Sequence, residues 1–421
     1  MDLSDFMGGD LAKEKETYFR FSEPFISLLE SVCLAESGKP TRHRFFHDIA
    51  PVISRLSDRF NRIGALPEAP DGPKGPFYGK GEHLAYLAYF LPANFFKMSY
   101  LLLECLEGIK GENPLPRKIE VLDLGAGPGT AGLGLLDFAA RYPVPYFQNR
   151  EISIRSVDRE REFLRYSETL FRRYRDILAK PLADRKVELR FKTDERKVPG
   201  NFPENGSRYD FIFAGNLLNE LNLNGSVKGQ QKLGAWMAEL LDLLEPDGRL
   251  ILLEPALRDT SRDLLFLRNR LVETGRATIL FPCLHQGPCP ILAPGGSEKD
   301  WCHQEKPWDP PEWISELDAL TGKRKDSLKY SGLILRRAGP FVRHVPGEWR
   351  VVSEMIMTKG KKELFLCNES GRKRFYLLDK EETDQNTGFS SLRRGDKVII
   401  TGGDGNGKNR IGPGWKIQKA L

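Results

Sequence analysis

An apolar strand that runs directly into three closely spaced glycines restricts the fold of this chain more than any other stretch. In VLDLGAGPGT, residues 121–130, the glycines are Gly125, Gly127 and Gly129, and a helical pattern follows. Glycine is needed where the backbone must turn sharply and let a ligand approach it closely. The spacing therefore predicts a strand, a ligand-binding turn and a helix, in that order.

Strand and helix patterns alternate on both sides of this turn. Apolar segments of strand length stand at KIEVLDLG, EISIRSVD, VELRFKTD, YDFIFAGN and GRLILLEP, and helical patterns separate most of them. Such alternation is typical of a parallel sheet covered by helices on both faces. ATILFP and YSGLILRR predict two further strands. We predict a Rossmann-like α/β domain over residues 115–339, with a cysteine-rich loop at 281–310 between the last two strands.

The two flanking regions have different patterns. Residues 1–114 carry apolar residues at helical spacing, for example in SEPFISLLESVCLAE, and predict an N-terminal helical domain. Residues 340–421 consist of short β patterns separated by turn signals and predict a small β-barrel-like module. From Lys323 to Leu421 there are 22 Lys and Arg against 11 Asp and Glu, whereas the whole chain has a net charge of +6. A basic module of this kind favours RNA as a partner over simple solvation.

Compartment and membrane association are also expectations from the sequence. The start MDLSDFMGGDLAKEKE is acidic and polar, unlike a secretory signal or a transit peptide. The longest apolar run is interrupted by Pro92, Asn94 and Lys97, which predicts packed helices rather than a membrane span. Six cysteines without a secretion signal favour a reducing compartment. We expect a cytoplasmic protein with no membrane segment, monomeric when free.

The glycine turn, with Asp123 on the strand before it, resembles motif I of class I S-adenosylmethionine (SAM)-dependent methyltransferases. The resemblance implies that the turn holds the amino-acid end of SAM. Asp158 ends the next strand, where an acidic residue can accept both ribose hydroxyls, although Asp also favours the N-cap of the following helix. Asp194, after the third strand, is a candidate for the adenine amino group or a plain turn residue. The predicted SAM-binding residues are Asp123, Gly125, Ala126, Gly127, Gly129, Asp158, Asp194 and Asn216.

The sequence assigns no catalytic residue. AGNLLNEL follows the fourth strand and places Asn216, Asn219 and Glu220 at the edge of the sheet where ligands bind. Asn216 could equally cap a helix. The chain has neither an asparagine-proline-proline-aromatic motif nor a cysteine near the fourth or fifth strand. Asn216 and Glu220 are therefore the only candidates, with Glu220 as a general base.

Three cysteines lie close together in the polar, turn-rich loop PCLHQGPCP…DWCHQ. Cys283, Cys289 and Cys302 have the spacing C-x5-C-x12-C, and Cys367 follows after 64 residues. Four thiolates suit zinc or an iron–sulfur cluster, but the short C-x2-C or C-x4-C spacing usual in zinc sites is missing. In a zinc site, His285 or His303 could replace Cys367; a third reading is that the cysteines are unrelated. The C-x3-C-x2-C triplet of radical SAM chemistry is absent. Cys33 and Cys105 are predicted to be core residues.

Six segments together resemble the Rsm22 family of small ribosomal subunit proteins. YLAYFLPANF, VLDLGAGPGT, LLEP, PCLHQGPCP, DWCHQ and YSGLILRR stand in the family's order, over roughly residues 80 to 380. The resemblance implies a SAM-binding methyltransferase fold and a 4Fe-4S cluster on Cys283, Cys289, Cys302 and Cys367. It also implies association with the immature small ribosomal subunit and its 16S-type rRNA.

Three functions remain open from the sequence. The first is a SAM-dependent enzyme that methylates ribosomal RNA. The second is a catalytically inactive RNA-binding assembly factor, as the mitochondrial members of the family are thought to be. The third is a small-molecule methyltransferase, which the basic C-terminal module disfavours because a small substrate would not require it.

Overall fold

A computed structural model describes residues 7–8, 18–62, 78–107, 115–142, 146–200, 206–221, 227–340, 345–402 and 409–419. The chain forms two compact units, each built from two segments. Unit 1 comprises Met1–Glu254 and Pro307–Leu328, and unit 2 comprises Pro255–Lys306 and Lys329–Leu421. The boundaries predicted from the sequence, at 114/115 and 339/340, stay predictions because compactness does not show which segments fold independently.

The N-terminal part of unit 1 is helical, as predicted. Its helices are α1 (Glu23–Ser37), α2 (Arg42–Arg62), α3 (Lys80–Ala85) and α4 (Leu91–Glu107), with a π-helical turn at Tyr86–Phe90 between the last two. Helix α1 has a proline in its first turn and ends at Gly38, whose φ of 68° provides the left-handed cap. Cys33 and Cys105 are both 3% exposed, which confirms them as core residues. A short pair, β1 (Met7–Gly8) and β2 (Tyr18–Phe19), precedes these helices.

The remainder of unit 1 contains a parallel sheet. Its strands are β3 (Lys118–Leu124), β4 (Glu151–Asp158), β5 (Glu188–Glu195), β6 (Tyr209–Gly215) and β7 (Leu244–Pro255). They lie in the order β5-β4-β3-β6-β7, and each pair of neighbours is parallel. The helices of this region are α5 (Thr130–Arg141), α6 (Arg161–Ile177), α7 (Ala179–Asp184) and α8 (Val227–Asp242).

The strand order determines where a ligand can bind. The chain leaves β3 towards β4 on one side and later returns to β6 on the other, so the order reverses beside β3. In open parallel sheets the crevice outside the carboxyl ends of the strands at such a switch point is the usual ligand site. The glycine turn, the end of β4 and the end of β6 all lie at this edge. The predicted α/β, Rossmann-like fold is confirmed.

Unit 2 is dominated by antiparallel β structure. It contains α9 (Arg258–Glu273), β8 (Ala277–Phe281), β9 (Gln304–Pro307) and β10 (Ser327–Arg337), and β10 pairs with β8 and β9. A seven-stranded sheet follows, made of β11 (Glu348–Val351), β12 (Ile356–Thr358), β13 (Lys361–Asn368), β14 (Gly371–Leu378), β15 (Lys397–Thr401), β16 (Arg410–Ile411) and β17 (Lys416–Lys419). Its core includes Leu364, Leu366, Phe389, Val398 and Ile411.

Two elements were not predicted from the sequence. Strand β9 follows Cys302, and helix α10 (Glu312–Thr321) belongs to unit 1 although it lies after the cysteine loop in the chain. Within α10, Trp313, Ile314 and Leu317 are buried. This spacing is helical, but the segment is short and follows two prolines. No helix in the described ranges is both long and apolar enough to cross a membrane.

Candidate functional site

The glycine turn between β3 and α5 has the backbone geometry that its sequence predicts. Gly125, Gly127 and Gly129 all have positive φ, at 63°, 53° and 80°. The Ala126 N–H donates to the Val157 carbonyl at 3.1 Å, and the Gly129 N–H donates to the Ala126 carbonyl at 2.9 Å. Left-handed backbone of this kind strains L-residues with a Cβ, so glycine is required at these positions.

The three glycines differ in what lies beside them. A Cβ on Gly125 would lie 2.8 Å from Leu217, and a Cβ on Gly129 would lie 2.1 Å from the Ser167 hydroxyl. A Cβ on Gly127 would meet no atom of the described residues within 4 Å. Gly127 also lines the cavity at this edge of the sheet. The space in front of Gly127 is therefore open to a ligand.

Asp158, at the end of β4, holds the turn in place. Its carboxylate accepts the Gly127 N–H at 2.7 Å and the Glu160 N–H at 2.8 Å. Burial raises the pKa of Asp158. Asp158 lines the same cavity as Gly127, which fits the expected position at a ligand site. The alternative that Asp158 caps the following helix is wrong, because α6 begins at Arg161 and its N-cap residue is Glu160.

A second cavity lies beside the first and shares Tyr86, Gly125, Gly215 and Asn216 with it. Asp123 lines it, is 2% exposed, and has one carboxylate oxygen without a hydrogen-bond partner among the described residues. Burial raises the pKa of Asp123 to about 7. Ala126 lines this second cavity as well. A buried carboxylate oxygen without a donor is suited to accept a hydrogen bond from a ligand.

The turn after β6 is fixed by a buried carboxylate that the sequence did not single out. Asn216 has a φ of 56°, and its N–H donates to the Leu253 carbonyl at 2.7 Å. The carboxylate of Glu254 accepts the N–H groups of Leu218 and Asn219 at 2.8 and 3.2 Å. Burial raises the pKa of Glu254 to about 8. Glu254 therefore positions the short helical turn at residues 218–221.

Glu220, on this turn, faces the first cavity. The Tyr78 hydroxyl donates to Glu220 Oε1 at 3.2 Å, and both residues line the cavity. Burial, followed by the charge of Asp158, raises the pKa of Glu220 to about 7. Phe163 contributes an aromatic wall, with its ring centroid 4.9 Å from that of Tyr78. The cavity thus combines glycine backbone, carboxylates and aromatic rings.

Asp194 and Asn219 do not line either cavity. The carboxylate of Asp194 pairs with Arg155 and, at 2.9 Å, with Arg196, and hydrogen bonds to these two arginines lower its pKa although burial opposes them. Asn219 is 3% exposed. The adenine-binding role expected for Asp194 stays a prediction. In that role, the adenine amino group would compete with the two arginines for the carboxylate oxygens of Asp194.

All four clustered cysteines line a single cavity in unit 2. Cys283, Cys289 and Cys302 come from the loop after β8, and Cys367 comes from β13. Burial, followed by the neighbouring thiols of Cys283 and Cys289, raises the pKa of Cys302 to about 12. Burial and the other three thiols also raise the pKa of Cys367. The fold thus brings Cys367 to the same cavity as Cys302, although 64 residues lie between them in the sequence.

The loop that carries the cysteines is held by side chains. Gln286 donates to the Ile279 carbonyl and accepts the Ile279 N–H, both at 2.8 Å. The Cys289 N–H donates to Asn269 Oδ1 at 3.0 Å, and Ser331 donates to the Cys302 carbonyl at 3.2 Å. The positions of the thiols are therefore fixed by hydrogen bonds to α9, β8 and β10.

Arginines that are buried or half-buried lie around the cysteine cavity. Arg350 and Arg372 lie opposite Cys367 on the two strands that flank β13, and both line the cavity. Arg372 also pairs with Asp300 of the cysteine loop at 2.9 Å. The Nε atoms of Arg372, Arg394 and Arg268 are buried without a hydrogen-bond acceptor in the part of the chain that the structure describes. Buried cations with unused donors fit an anionic group in this cavity.

The two histidines near the cysteines have different positions. His285 lines the cysteine cavity, whereas His303 is buried but does not line it. His303 stacks on Trp301, and burial lowers its pKa to about 3. Across the described ranges, no group of three or more His, Cys, Asp or Glu side chains forms a site for a single metal ion.

Sequence reasoning missed Tyr78, Glu254 and the arginines around the cysteines. Tyr78 follows a Pro/Gly-rich stretch and carries no motif. Glu254 stands in LLEP, where it reads as the polar end of an apolar strand. Arg350, Arg372 and Arg394 are spread over three β patterns, so only the pairing of β11, β13 and β14 brings the first two together.

Comparison with known proteins adds a family and several remote structural likenesses. The family model described as mitochondrial small ribosomal subunit Rsm22 matches residues 80–398. No curated protein matches the chain. A methyltransferase from Pyrococcus furiosus is 13% identical, with 68% of this chain and 100% of that one covered and a TM-score of 0.30.

Two further solved structures give similar values. The plantazolicin methyltransferase BpumL, in complex with SAH, is 12% identical, with 68% of this chain and 98% of that one covered and a TM-score of 0.34. A putative class I SAM-dependent methyltransferase from Listeria monocytogenes is 11% identical, with 76% and 89% covered and a TM-score of 0.35. These scores are too low to transfer individual residues. The fold predicted for the chain, that of the class I SAM-dependent methyltransferases, agrees with the observed strand order.

Proposed function

The chain belongs to the Rsm22 family of mitochondrial small ribosomal subunit proteins, and from this premise we propose that it is a SAM-binding, methyltransferase-like protein that acts with small-subunit ribosomal RNA. The observation that carries the proposal is the cavity at the switch point of the parallel sheet. Gly125, Gly127, Asp158 and Asn216 line it together. The partner proposed here is the immature small subunit with its 16S-type rRNA.

The charge of the cavity supports SAM as its ligand. The carboxyl groups of Asp158 and Glu220 face the first cavity, and Asp123 faces the adjoining one. SAM carries a positive sulfonium, which such carboxylates stabilise when they are ionised. The second carboxylate oxygen of Asp123, which accepts no hydrogen bond from the described residues, offers a further acceptor. When bound, SAM supplies an electrophilic methyl group.

One pair of residues favours the catalytic form of this function over the inactive assembly factor. Glu220 accepts a hydrogen bond from Tyr78 inside the cavity, and its pKa of about 7 is that of a group able to take a proton at neutral pH. Glu220 would hold the proton of an acceptor nitrogen or oxygen, and Asn216 would line the same space.

We further propose a 4Fe-4S cluster on Cys283, Cys289, Cys302 and Cys367. The four thiols line one buried cavity, and the unused Nε donors of Arg372 and Arg394 suit the negative charge of thiolate-bound iron. Zinc on the same thiolates is the alternative. With four protein ligands the role of the cluster would be structural.

Location and assembly state complete the proposal. The cysteines, none of which forms a disulfide, are consistent with a reducing compartment. We place the protein in the cytoplasm, as a monomer when it is not bound to the ribosomal subunit.

The test of this function combines ligand binding with RNA identification. Calorimetry of the purified protein is expected to show one SAM site per chain. Crosslinking and sequencing of bound RNA in cells is expected to recover small-subunit rRNA, and modification mapping in a deletion strain then separates the enzyme from the assembly factor. Absence of SAM binding together with absence of rRNA enrichment would refute the proposal.

A further inference from the structure

Two lysines of unit 1 lie beside the SAM cavity without a carboxylate partner among the described residues. On α4, the Lys97 ammonium donates to Asn94 Oδ1 at 3.2 Å. The Lys325 ammonium, after α10, lies 4.4 Å from the ring centroid of Tyr89 and 5.3 Å from that of Phe90. A helical side chain extends towards the N-terminus of its helix, so Lys97 is directed along α4 towards the turn on which Lys325 lies.

The charges in this region do not balance. Within the described ranges, neither Lys97 nor Lys325 has an acidic oxygen at ion-pair distance. Asp318 acts on Lys325 but is already engaged by the Tyr89 hydroxyl at 2.5 Å and by the Lys325 N–H at 2.7 Å. Lys323 adds a further positive charge. Charged groups withdrawn from water normally have a counter-ion, so this pair lacks an anion.

The lowered pKa values of the two lysines are consistent with the lack of an anionic partner. Burial, followed by the charge of Lys325, lowers the pKa of Lys97 to about 7. Burial lowers the pKa of Lys325 to about 8, although Asp318 opposes the effect. Each of the two residues is half-buried as a whole, so part of it is accessible to solvent. A ligand from solution can therefore reach them.

A hydrogen bond connects Lys97 to a residue that lines the SAM cavity. Asn94, which accepts from Lys97, lines that cavity together with Asp123, Gly125 and Asn216. The Asn94 amide also donates to the Tyr86 hydroxyl at 3.4 Å, and Tyr86 lines both parts of the cavity. An anion bound by Lys97 would thus be separated from this cavity by the side chain of Asn94.

We propose that Lys97 and Lys325 form a phosphate-binding subsite that holds a backbone phosphate of an RNA strand beside the SAM cavity. Because one N–H of Lys97 is donated to Asn94, the two ammonium groups keep up to five N–H donors for one phosphate, which they bind as point charges. The identification of the phosphate as part of RNA rests on the proposed function, whereas the affinity for phosphate itself does not. The subsite would anchor the strand whose nucleotide enters the cavity.

The experiment measures the salt dependence of RNA binding. Fluorescence anisotropy with a short single-stranded RNA is recorded at several KCl concentrations for the wild type, Lys97→Gln, Lys325→Gln and the double variant. For single strands, the slope of log affinity against log salt falls by about 0.7 for each phosphate that the protein no longer neutralises. We expect the double variant to flatten the slope by about this amount and each single variant to flatten it by part of it, with SAM affinity unchanged.

Lys232→Gln is the matched control. Lys232 is an exposed lysine of α8 in the same unit, so its removal takes away the same charge from another place. Slopes that stay at the wild-type value in Lys97→Gln and Lys325→Gln, or that fall equally in Lys232→Gln, would overturn the subsite.

A second arm uses inorganic pyrophosphate and separates the subsite from the proposed function. Pyrophosphate is expected to raise the melting temperature of the wild type and of Lys232→Gln more than that of the double variant. If the wild type binds no RNA, the proposed function fails, but a pyrophosphate effect that is missing in the double variant still supports the subsite. An equal effect on all proteins excludes it.

Discussion

Gly127 differs from the other glycines of its turn because a side chain there would meet only open space among the described residues. We predict that Gly127→Ala weakens SAM binding at least about tenfold, since the new methyl group points into the cavity that Gly127 lines. Its φ of 53° also costs about 1–2 kcal/mol of folding free energy. Calorimetry for affinity and chemical denaturation for stability measure the two effects separately.

Gly38→Ala provides the control for this backbone cost. Gly38 caps α1 with a φ of 68°, and a Cβ there would also meet no described atom within 4 Å. It does not line the cavity. The two variants should be destabilised to a similar extent, and only Gly127→Ala should bind SAM more weakly. Equal SAM affinity in both would show that the ligand does not approach Gly127.

Because the pKa of Glu220 is raised, we predict that the affinities for SAM and SAH depend differently on pH. Its pKa of about 7 is raised, so the folded protein holds a proton there that the unfolded chain has released. The folded state is therefore stabilised as pH falls, and the penalty for ionising Glu220 grows as pH rises from about 4.3 to 7. The sulfonium of SAM offsets this penalty because it interacts favourably with the ionised carboxylate, whereas SAH has no such charge.

We therefore expect the ratio of SAM to SAH affinity to increase between pH 6 and pH 8, by up to about tenfold for each pH unit by which SAM lowers the pKa of Glu220. Glu220→Gln should flatten this increase. Asp123, whose pKa is also about 7, stays in place in that variant together with Asp158, Glu254, Tyr78 and Arg159, so any slope that persists is due to these groups. An unchanged slope in Glu220→Gln, measured by calorimetry, would contradict the assignment.

At the scale of single elements, β14 shows that the basic charge of the C-terminal region is partly used inside the protein. Arg372 pairs with Asp300, and Arg374 pairs with Glu363. Lys373, between them, lies 5.5 Å from the ring centroid of Trp349. The count of basic residues alone therefore overstates the charge available to RNA.

We predict that Lys373→Glu weakens binding to structured RNA more than Arg374→Glu does. Lys361 and Arg374 share the carboxylate of Glu363, whereas Lys373 forms no ion pair with a described residue, so its charge is less neutralised. Removing a lysine that binds one phosphate reduces the salt slope by about 1. Filter binding at several salt concentrations would show this, and an equal weakening in the two variants would mean that β14 contributes only overall charge.

Elements with a strong local signal were predicted, whereas those that depend on remote contacts were not. The turn VLDLGAGPGT and the strands on either side were predicted because glycine spacing and apolar strand patterns depend on the local backbone conformation. Helix α10 was missed because its apolar spacing covers only ten residues. Tyr78 and Glu220 are 142 residues apart in the sequence, so no local pattern predicts their contact.

At the scale of the whole molecule, the division into two units places all four clustered cysteines in unit 2. We predict that anaerobically purified protein is brown and that Cys367→Ala removes the colour. The melting temperature of unit 2 should fall by about 5 °C or more, because metal binding is coupled to folding. Absorbance and calorimetric scans measure these outcomes.

Two comparisons make this prediction specific. Cys33→Ala and Cys105→Ala, in the helical core of unit 1, should keep the colour. Cys367→Ala should keep SAM affinity, since every residue of the SAM cavity belongs to unit 1. Colourless wild-type protein with one zinc per chain would mean that the thiols bind zinc and not a cluster. If the colour disappeared with His285→Ala but not with Cys367→Ala, the proposed set of ligands would be wrong.

The two units are interleaved along the chain, and this constrains the order in which they can be completed during synthesis. Unit 1 needs Pro307–Leu328, which contributes Asp318 to Tyr89 and Glu316 to Arg42. A chain that grows from its N-terminus at about 5–20 residues per second exposes α9, β8 and the three loop cysteines before that segment emerges. The three loop cysteines are therefore synthesised before Cys367, and unit 1 can complete its fold in the interval. If the proposed cluster is assembled late, the SAM site of the nascent chain would already be complete.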